Sequence, residues 1–199
     1  MSSHEISFLV LSYLLGSIPF GYLVFYFTEG KDIRSLGSGN IGATNVLRSK
    51  GKLAGSLTLA LDVLKGALPV LYGRAHFDLP WFVLLGALAV LLGHIFPVFL
   101  KFRGGKGVAS LVGIFLVFYF PALLVFLAVF FIVLRLTRYV SLASLLATTA
   151  LFFCILFTQV AEASMVVFAM VLLIVFRHRA NIQRLLAGNE NKFSLKKNG

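Results

Sequence analysis

The sequence is poor in cysteine and in charge. Cys154 is the only cysteine among 199 residues, which excludes an internal disulfide and a metal cluster built from thiolates. Charged residues make up 13% of the chain and apolar residues 59%. A soluble domain of this length cannot bury so much apolar surface. The composition therefore indicates a chain that resides in lipid.

Several catalytic and binding signatures are also missing. None of the 4 histidines has an aspartate five positions later, so the sequence motif of a catalytic His-Asp dyad is absent. No G-x-S-x-G segment or His/Glu metal signature occurs either. The formal net charge of +11 would suit a nucleic-acid binder, but such a protein carries its basic residues as a stripe between solvated faces. Here they fall between apolar segments. We therefore predict no nucleic-acid partner and no metal site.

Long apolar runs predict an all-α protein, a polytopic transmembrane helical bundle that forms one domain over residues 1–199. Crossing roughly 30 Å of hydrocarbon takes about 20 apolar residues. The first run has no preceding Lys or Arg and no small-residue cleavage site, so we interpret it as a retained helix, with the mature chain beginning near Met1. The runs long enough to cross cover residues 6–27, 53–72, 81–100, 108–136, 140–158 and 161–176.

Basic residues are spread unevenly over the gaps between these runs. Of the 18 Lys and Arg, five lie at 28–52, three at 101–106, two at 135–138 and six after residue 176. Lys and Arg concentrate on the cytoplasmic side of a membrane. We therefore predict a multi-pass protein of the inner (cytoplasmic) membrane, with its N-terminus outside and its C-terminus in the cytoplasm.

Residues 108–136 connect two gaps that both face the cytoplasm in this scheme. They must then cross twice, as two helices broken near Pro121, which gives seven crossings in all. Each helix would have about 14 residues and a length of about 21 Å, so we expect short or tilted helices. The alternative is one long helix that places Arg135 outside.

A loop rich in glycine and small polar residues runs from Arg34 to Arg48. Its backbone can approach an anion closely and offer several N–H donors, and Arg48 adds a bidentate cation. The loop contains G-x-G-x-x-G, but no strand precedes it and no βαβ unit follows, so a dinucleotide site is not indicated. A flexible, solvated loop is the alternative.

A second glycine cluster, from Lys101 to Val108, leads into the fourth run. A glycine-rich helix start presents N–H groups and the positive end of the helix dipole to an anion. A Walker A loop is excluded, because Leu100 stands where Gly is required and Gly107 where Ser or Thr is required. Ordinary basic residues at a membrane boundary are the alternative.

Polar residues recur at the start of the run at 140–158 and directly after the last run. His178, Asn181 and Arg184 are spaced by three, so they share a face if their segment is a helix. A basic tail that holds anionic lipid headgroups is the alternative there. Ser141 and Ser144, also three apart, either bind phosphate or let helices pack closely.

Ionisable side chains also lie well inside the second and third predicted spans. Asp62 and Lys65 are three apart on one helical face, and we favour a structural ion pair over a functional one. His94, near the end of the third run, is interpreted as a hydrogen-bonded packing histidine and not as a general base.

Five segments read, in chain order, GSGNIGATNVLR, LDVLKG, GHIFPVFLKFRGGKGVAS, RYVSLAS and RHRANIQRLLAGNE. They resemble the conserved blocks of the bacterial acyl-phosphate:glycerol-3-phosphate acyltransferase family, and the resemblance extends from Gly16 to Glu190. Two positions depart from it. Ser110 stands where the family commonly has Thr, and Lys101 stands where Gly is frequent. Ser110 keeps the hydroxyl and Lys101 lies at the rim, so the resemblance still implies an active enzyme.

The resemblance implies a seven-helix membrane enzyme that transfers a fatty acyl group from acyl phosphate to the 1-position hydroxyl of glycerol 3-phosphate. The products would be lysophosphatidic acid and inorganic phosphate, in the first acylation step of phospholipid biosynthesis. No metal, cofactor or coenzyme A donor is implied. The implied partners are the two substrates, membrane lipid and the soluble enzyme that makes acyl phosphate. The implied catalytic residues are Ser38, Arg48, Lys106 and His178. The implied substrate-binding residues are Gly39, Asn40, Thr44, Asn45, Gly105, Ser141, Ser144, Asn181, Arg184 and Glu190.

An acyl phosphate is a mixed anhydride with a good leaving group, so such an enzyme needs mainly to hold two anions close and stabilise developing charge. We expect a substrate phosphate oxygen to accept the hydroxyl proton, with His178 as the protein alternative. A transporter of phosphate-bearing solutes is the rival class, although its polar residues would lie at the membrane midplane. A purely structural protein would leave the glycine loops unexplained.

Overall fold

The computed structural model describes residues 1–193, which form helices and connecting segments without a strand. Lys196 and Lys197, counted above in the basic C-terminal gap, lie outside the described residues. The helices are α1 Ser3–Ser17, α2 Phe20–Glu29, α3 Ala43–Lys50, α4 Lys52–His76, α5 Pro80–Ile95, α6 Val108–Phe118, α7 Phe120–Thr137, α8 Val140–Thr158, α9 Ala161–Arg177 and α10 Arg179–Leu186.

The prediction of an all-α transmembrane bundle is confirmed. Within residues 1–193, five segments are long and apolar enough to cross a membrane, or six if α9 and α10, bent by 57°, count as one span. Helix α6 is apolar but has only 11 residues. The count of seven crossings and the orientation of the two termini stay predictions.

The chain divides into two compact units. The first extends from Met1 to Phe118 and the second begins at Tyr119. Both predicted glycine loops lie in the first unit, whereas the polar residues of α8 and α10 lie in the second. The single domain over residues 1–199 stays a prediction.

The predicted break between residues 108 and 136 is confirmed, and the alternative of one long helix is wrong. Helix α6 ends at Phe118, and α7 begins at Phe120 with Pro121 in its first turn. Proline fits the first turn because its missing N–H has no intrahelical partner there. The expectation of equal lengths is wrong, since α6 has 11 residues and α7 has 18.

Two further prolines end helices that hydropathy alone had extended. The run at 6–27 is broken between α1 and α2, where Ile18 is extended (φ −65°, ψ 113°) before Pro19. Helix α5 ends at Ile95, two residues before Pro97, and a short 3₁₀ turn, Val98–Leu100, follows. These breaks place a backbone turn at the end of α1 and of α5.

Helix α6 packs against α4 at backbone distance. A Cβ on Gly66 of α4 would collide with the carbonyl of Ser110 on α6. Transmembrane helices use such small residues because close backbone contact supplies the packing energy that lipid does not. Since α6 begins directly after the second glycine cluster, this contact fixes one end of that loop.

Candidate active site

One buried side chain shapes the glycine loop between α2 and α3. The side chain of Asn45, which is 2% exposed, accepts a hydrogen bond at Oδ1 from the N–H of Ser38 at 3.0 Å. Its Nδ2 donates to the carbonyls of Leu36 at 3.0 Å and Asn40 at 2.8 Å. Gly39 has a left-handed φ of 70°, which glycine adopts without strain. The loop is therefore ordered by a side chain of α3, and the Asn45 amide is engaged in that task.

The other predicted ligands in this loop are more accessible. Ser38, Gly39 and Arg48 are exposed, and Thr44 is half-buried. Asn40 accepts a hydrogen bond at Oδ1 from the N–H of Gly42 at 2.8 Å. This arrangement suits a preformed surface for an anion, whose ligands would be backbone N–H groups, hydroxyls and Arg48. Direct binding by each of these residues stays a prediction.

The second glycine cluster folds back onto the end of α5. The N–H of Gly104 donates to the Ile95 carbonyl at 3.1 Å, and the N–H of Gly105 donates to the His94 carbonyl at 3.0 Å. A Cβ on Gly105 would collide with the imidazole of His94. The sequence predicts that these glycines offer their N–H groups to an anion. Both groups are instead engaged within the protein, and position 105 needs glycine because a ring lies against its backbone.

Lys101, the rim residue of this cluster, has a backbone conformation that favours glycine. It has a left-handed φ of 51°, and Phe102 follows with a φ of 61°. Such a backbone costs a residue with a side chain roughly 1–2 kcal/mol and costs glycine almost nothing. A frequent glycine at position 101 is thus expected from the backbone alone.

A hydrophobic cluster in the first unit includes residues next to both glycine loops. Ile33 and Ile41 come from the segment between α2 and α3, Val46 from α3, and Leu100 from the 3₁₀ turn that precedes Lys101. Phe25 of α2 is 2% exposed at the same cluster. Arg48, on α3, lies two residues after Val46 of this cluster, and Lys106 lies six residues after Leu100.

A buried network of polar side chains lies behind the second loop. Lys65 Nζ lies 2.9 Å from Asp62 Oδ1, which confirms the predicted ion pair. Asp62 Oδ1 lies 3.7 Å from His94 Nδ1, and that nitrogen also hydrogen bonds with the Ser110 hydroxyl at 3.3 Å. All four side chains are at most 4% exposed. His94 is thus a hydrogen-bonded packing histidine, as expected, but the sequence did not reveal that it packs on Gly105.

In the second unit, three predicted site residues donate hydrogen bonds to the carboxylate of a fourth. Glu190 accepts hydrogen bonds from Ser141 Oγ at 2.8 Å, Asn181 Nδ2 at 2.7 Å and Arg184 Nε at 2.7 Å. Burial raises the pKa of Glu190, but the bonds from Asn181, Ser141 and Arg184 outweigh burial and hold its pKa below the usual value. Glu190 therefore fixes the orientation of three polar side chains from α8 and α10.

His178 lies at the bend between α9 and α10 and is 1% exposed. Its Nδ1 lies 2.8 Å from the Ile174 carbonyl. A carbonyl can only accept, so Nδ1 carries a proton and donates this hydrogen bond. Ser144, by contrast, donates to the Val140 carbonyl of its own helix at 2.8 Å. The geometry at Ser144 favours the packing alternative.

The predicted site residues thus fall into two groups. The first unit holds Ser38, Gly39, Asn40, Thr44, Asn45, Arg48, Gly105 and Lys106. The second unit holds Ser141, Ser144, His178, Asn181, Arg184 and Glu190. Within residues 1–193, no three His, Cys, Asp or Glu side chains are grouped so as to hold a metal ion.

Comparison with known proteins identifies the family. The family model for glycerol-3-phosphate acyltransferase matches residues 6–188. The chain belongs to the glycerol-3-phosphate acyltransferase family. A member from Geotalea daltonii is 46% identical over 193 residues, which cover 95% of this chain and 97% of the relative. A member from Thermotoga petrophila is 42% identical over 188 residues, which cover 94% and 96%.

Two crystal structures of PlsY (YgiH), described as an integral membrane glycerol 3-phosphate acyltransferase, share this fold. The glycerol 3-phosphate form matches with a TM-score of 0.93 and 39% identity over 96% of each chain. The lysophosphatidic acid form matches with a TM-score of 0.89 and 36% identity over 97% of each chain. The resemblance stated from five sequence blocks is confirmed, and the chain is an integral membrane acyltransferase.

Proposed function

We propose that this chain transfers a fatty acyl group from acyl phosphate to the 1-position hydroxyl of glycerol 3-phosphate. The products are lysophosphatidic acid and inorganic phosphate, and the reaction is the first acylation of phospholipid biosynthesis. The observation that carries the proposal is the loop held by Asn45, whose Ile41 packs in the same hydrophobic cluster as Leu100, the residue before the basic glycine loop. Solved family members in glycerol 3-phosphate and lysophosphatidic acid forms support the acceptor and the product.

The chemistry requires little from the protein beyond holding and neutralising anions. The glycerol hydroxyl oxygen attacks the acyl carbon, the bond from that carbon to the phosphate oxygen breaks, and phosphate leaves. A phosphate oxygen takes the hydroxyl proton, with Nε2 of His178 as the protein alternative. Arg48 and Lys106 stabilise the charge that develops on the oxygens, and Ser38 donates a hydrogen bond to it.

The remaining predicted ligands have two kinds of role in this proposal. In the first unit, Gly39, Asn40 and Thr44 contact a phosphate, and Asn45 shapes the loop. Gly105 lets its loop rest on His94. In the second unit, Ser141, Asn181 and Arg184 contact substrate from the orientation that Glu190 gives them, and Ser144 lies one helical turn from Ser141. Membrane lipid and the soluble enzyme that makes acyl phosphate are the proposed partners.

Turnover by the purified protein tests the reaction. Detergent-solubilised protein with acyl phosphate and glycerol 3-phosphate should release inorganic phosphate and lysophosphatidic acid in equal amounts. Acyl coenzyme A and acyl carrier protein should support little turnover, because the sequence lacks the motif of a histidine followed five positions later by aspartate, which would activate the hydroxyl against a thioester. Comparable rates with acyl coenzyme A would contradict the donor. Glycerol 3-phosphate uptake by liposomes without acylation would favour a transporter.

We also propose that the glycine loops face the cytoplasm, on the inner membrane. The basic gaps support this, because the positive-inside rule counts Lys and Arg even when they are paired, as Arg34 is with Asp32 at 2.6 Å. In a Cys154→Ser background, Asn40→Cys and Tyr139→Cys should be shielded from an impermeant thiol reagent added to intact cells. Labelling of Asn40→Cys from outside, without permeabilisation, would contradict the proposed orientation.

A further inference from the structure

A line of polar contacts connects the break between α1 and α2 with the second glycine loop. Lys65 Nζ donates to the Ile18 carbonyl at 2.8 Å, in the turn that Pro19 forces on the chain. The same Nζ lies 2.9 Å from Asp62, and Asp62 lies 3.7 Å from His94. The opposite edge of the His94 ring lies against the backbone of Gly105. The line thus ends one residue before Lys106.

Stability alone is a poor reason for this network. Lys65 is 1% exposed and Asp62 is 2% exposed, within a helix that meets the criteria for a membrane span. Desolvation of two buried ions commonly cancels their attraction, and an apolar pair of similar volume is often as stable or more so. Ionisable groups at this depth are expensive and are by default functional candidates. Their position beside the loop suggests what they do.

The contact between His94 and Gly105 is specific to the ring. Gly105 does not have a positive φ, so its φ would accept alanine, and the nearest atoms that a Cβ would meet are those of the His94 imidazole. The two adjacent N–H groups, of Gly104 and Gly105, hold the loop to the carbonyls of Ile95 and His94. The distance between this loop and the end of α5 therefore depends on the orientation of the His94 ring.

We propose that His94 is a positioning residue that sets the place of Lys106, and that Asp62, Lys65 and Ser110 hold the His94 ring in the required orientation. His94 acts through the loop, without contact to substrate. This inference rests on the proposed function for the role of Lys106 and deepens it. The chemistry at stake is recognition of a phosphate group by a cation whose position is fixed in advance.

A double-mutant cycle between positions 94 and 105 tests the contact. Binding of glycerol 3-phosphate to the purified protein is measured by titration calorimetry. Gly105→Ala should weaken binding about tenfold or more, as expected when a positioned group is displaced by about 1 Å. In a His94→Ala background, where the ring is gone, Gly105→Ala should cause little further loss. Equal losses in both backgrounds would overturn the proposal.

A second cycle separates positioning from a general structural role. His94→Ala should raise KM for glycerol 3-phosphate about tenfold in the natural chain and change it little in a Lys106→Ala background. His94→Gln, which keeps a polar group near the Nε2 position, should restore part of the affinity, and Asp62→Asn should resemble His94→Ala in KM. Arg74→Ala is the matched control, since Arg74 donates to the Val117 carbonyl of α6 in the same unit. It should leave KM unchanged.

Thermal unfolding in detergent accompanies each variant. A rise in KM that accompanies a fall in the unfolding temperature, and that is equally large with and without Lys106→Ala, would show a structural role and overturn the proposal. If the natural chain binds glycerol 3-phosphate but does not turn over acyl phosphate, the proposed donor fails while the calorimetric cycle still decides the role of His94. If it binds neither glycerol 3-phosphate nor inorganic phosphate, both proposals fail.

Discussion

Asn45→Ala should disorganise the first glycine loop and lower activity without unfolding the bundle. The substitution removes the hydrogen bonds to the Ser38 N–H at 3.0 Å, the Leu36 carbonyl at 3.0 Å and the Asn40 carbonyl at 2.8 Å, and a longer one to the Ile33 carbonyl at 3.5 Å. A net hydrogen bond contributes about 0.5–1.5 kcal/mol, so the loop should lose roughly 2–4 kcal/mol of local stability. Because the loop is exposed, water can solvate the released groups, which places the expected loss toward the lower end.

Hydrogen exchange and kinetics measure this effect separately. Exchange at the Ser38 amide should accelerate about tenfold for each 1.4 kcal/mol lost, and kcat/KM for phosphate release should fall by at least about tenfold. Asn45→Asp keeps the acceptor for Ser38 but turns an acceptor toward two carbonyls, so it should be no better than alanine. Ser35→Ala, which loses a bond of 2.7 Å to the Asp32 carbonyl in the same loop, is the control. Unchanged exchange and turnover in Asn45→Ala would refute the reasoning.

Three further predictions concern charge and backbone. Lys106→Ala and Arg48→Ala should each lower kcat/KM by about tenfold to a few hundredfold, since a charge-assisted bond contributes roughly 1.5–3 kcal/mol. The double variant should lose less than the product of the two single losses. Multiplicative losses in steady-state assays would argue for separate roles. Folding lowers the pKa of Glu190. The contribution of Glu190 to stability should therefore be complete above its ordinary pKa of 4.5 and vanish as the pH falls through the lower pKa of the folded state. Unfolding of Glu190→Gln should lack this acid dependence, and an unaltered acid profile would contradict the assignment. Lys101→Gly, which relieves a left-handed φ of 51°, should raise the unfolding temperature or leave it unchanged, and a clear decrease would show that the lysine side chain makes a compensating contact.

Hydropathy predicted the helices well wherever no proline intervened. The runs at 140–158 and 161–176 match Val140–Thr158 and Ala161–Arg177 almost residue for residue. The run at 6–27 was one segment to hydropathy, although Pro19 breaks it. That break leaves the Ile18 carbonyl without its helical partner, and Lys65, 47 positions away, donates to it. No local window contains both residues, so the compensation was invisible in the sequence.

The glycine loops were found from sequence, but the reason for one glycine was not. Glycines beside basic residues predicted anion binding, and the first loop has the left-handed φ at Gly39 that such a surface needs. At Gly105 the same pattern has another cause, the ring of His94. The pair lies within the block GHIFPVFLKFRGGKGVAS, 11 positions apart, and only the return of the loop onto α5 brings the two together. Spacing alone cannot predict a contact that depends on a turn.

If His94 positions the second glycine loop as proposed, the position of Lys106 depends on the packing of α4, α5 and α6. On one side the chain enters α6, whose Ser110 carbonyl touches Gly66 of α4. On the other side the loop rests on His94 of α5, and the ion pair of α4 lies next to that ring. Lipid offers little hydrophobic driving force between helices, so close backbone contact and buried polar bonds must hold α4, α5 and α6 together. A displacement of α4 would therefore move both ends of the loop that carries Lys106. A substitution of an exposed leucine on the same helix, such as Leu64 at 50% exposure, should have no such effect.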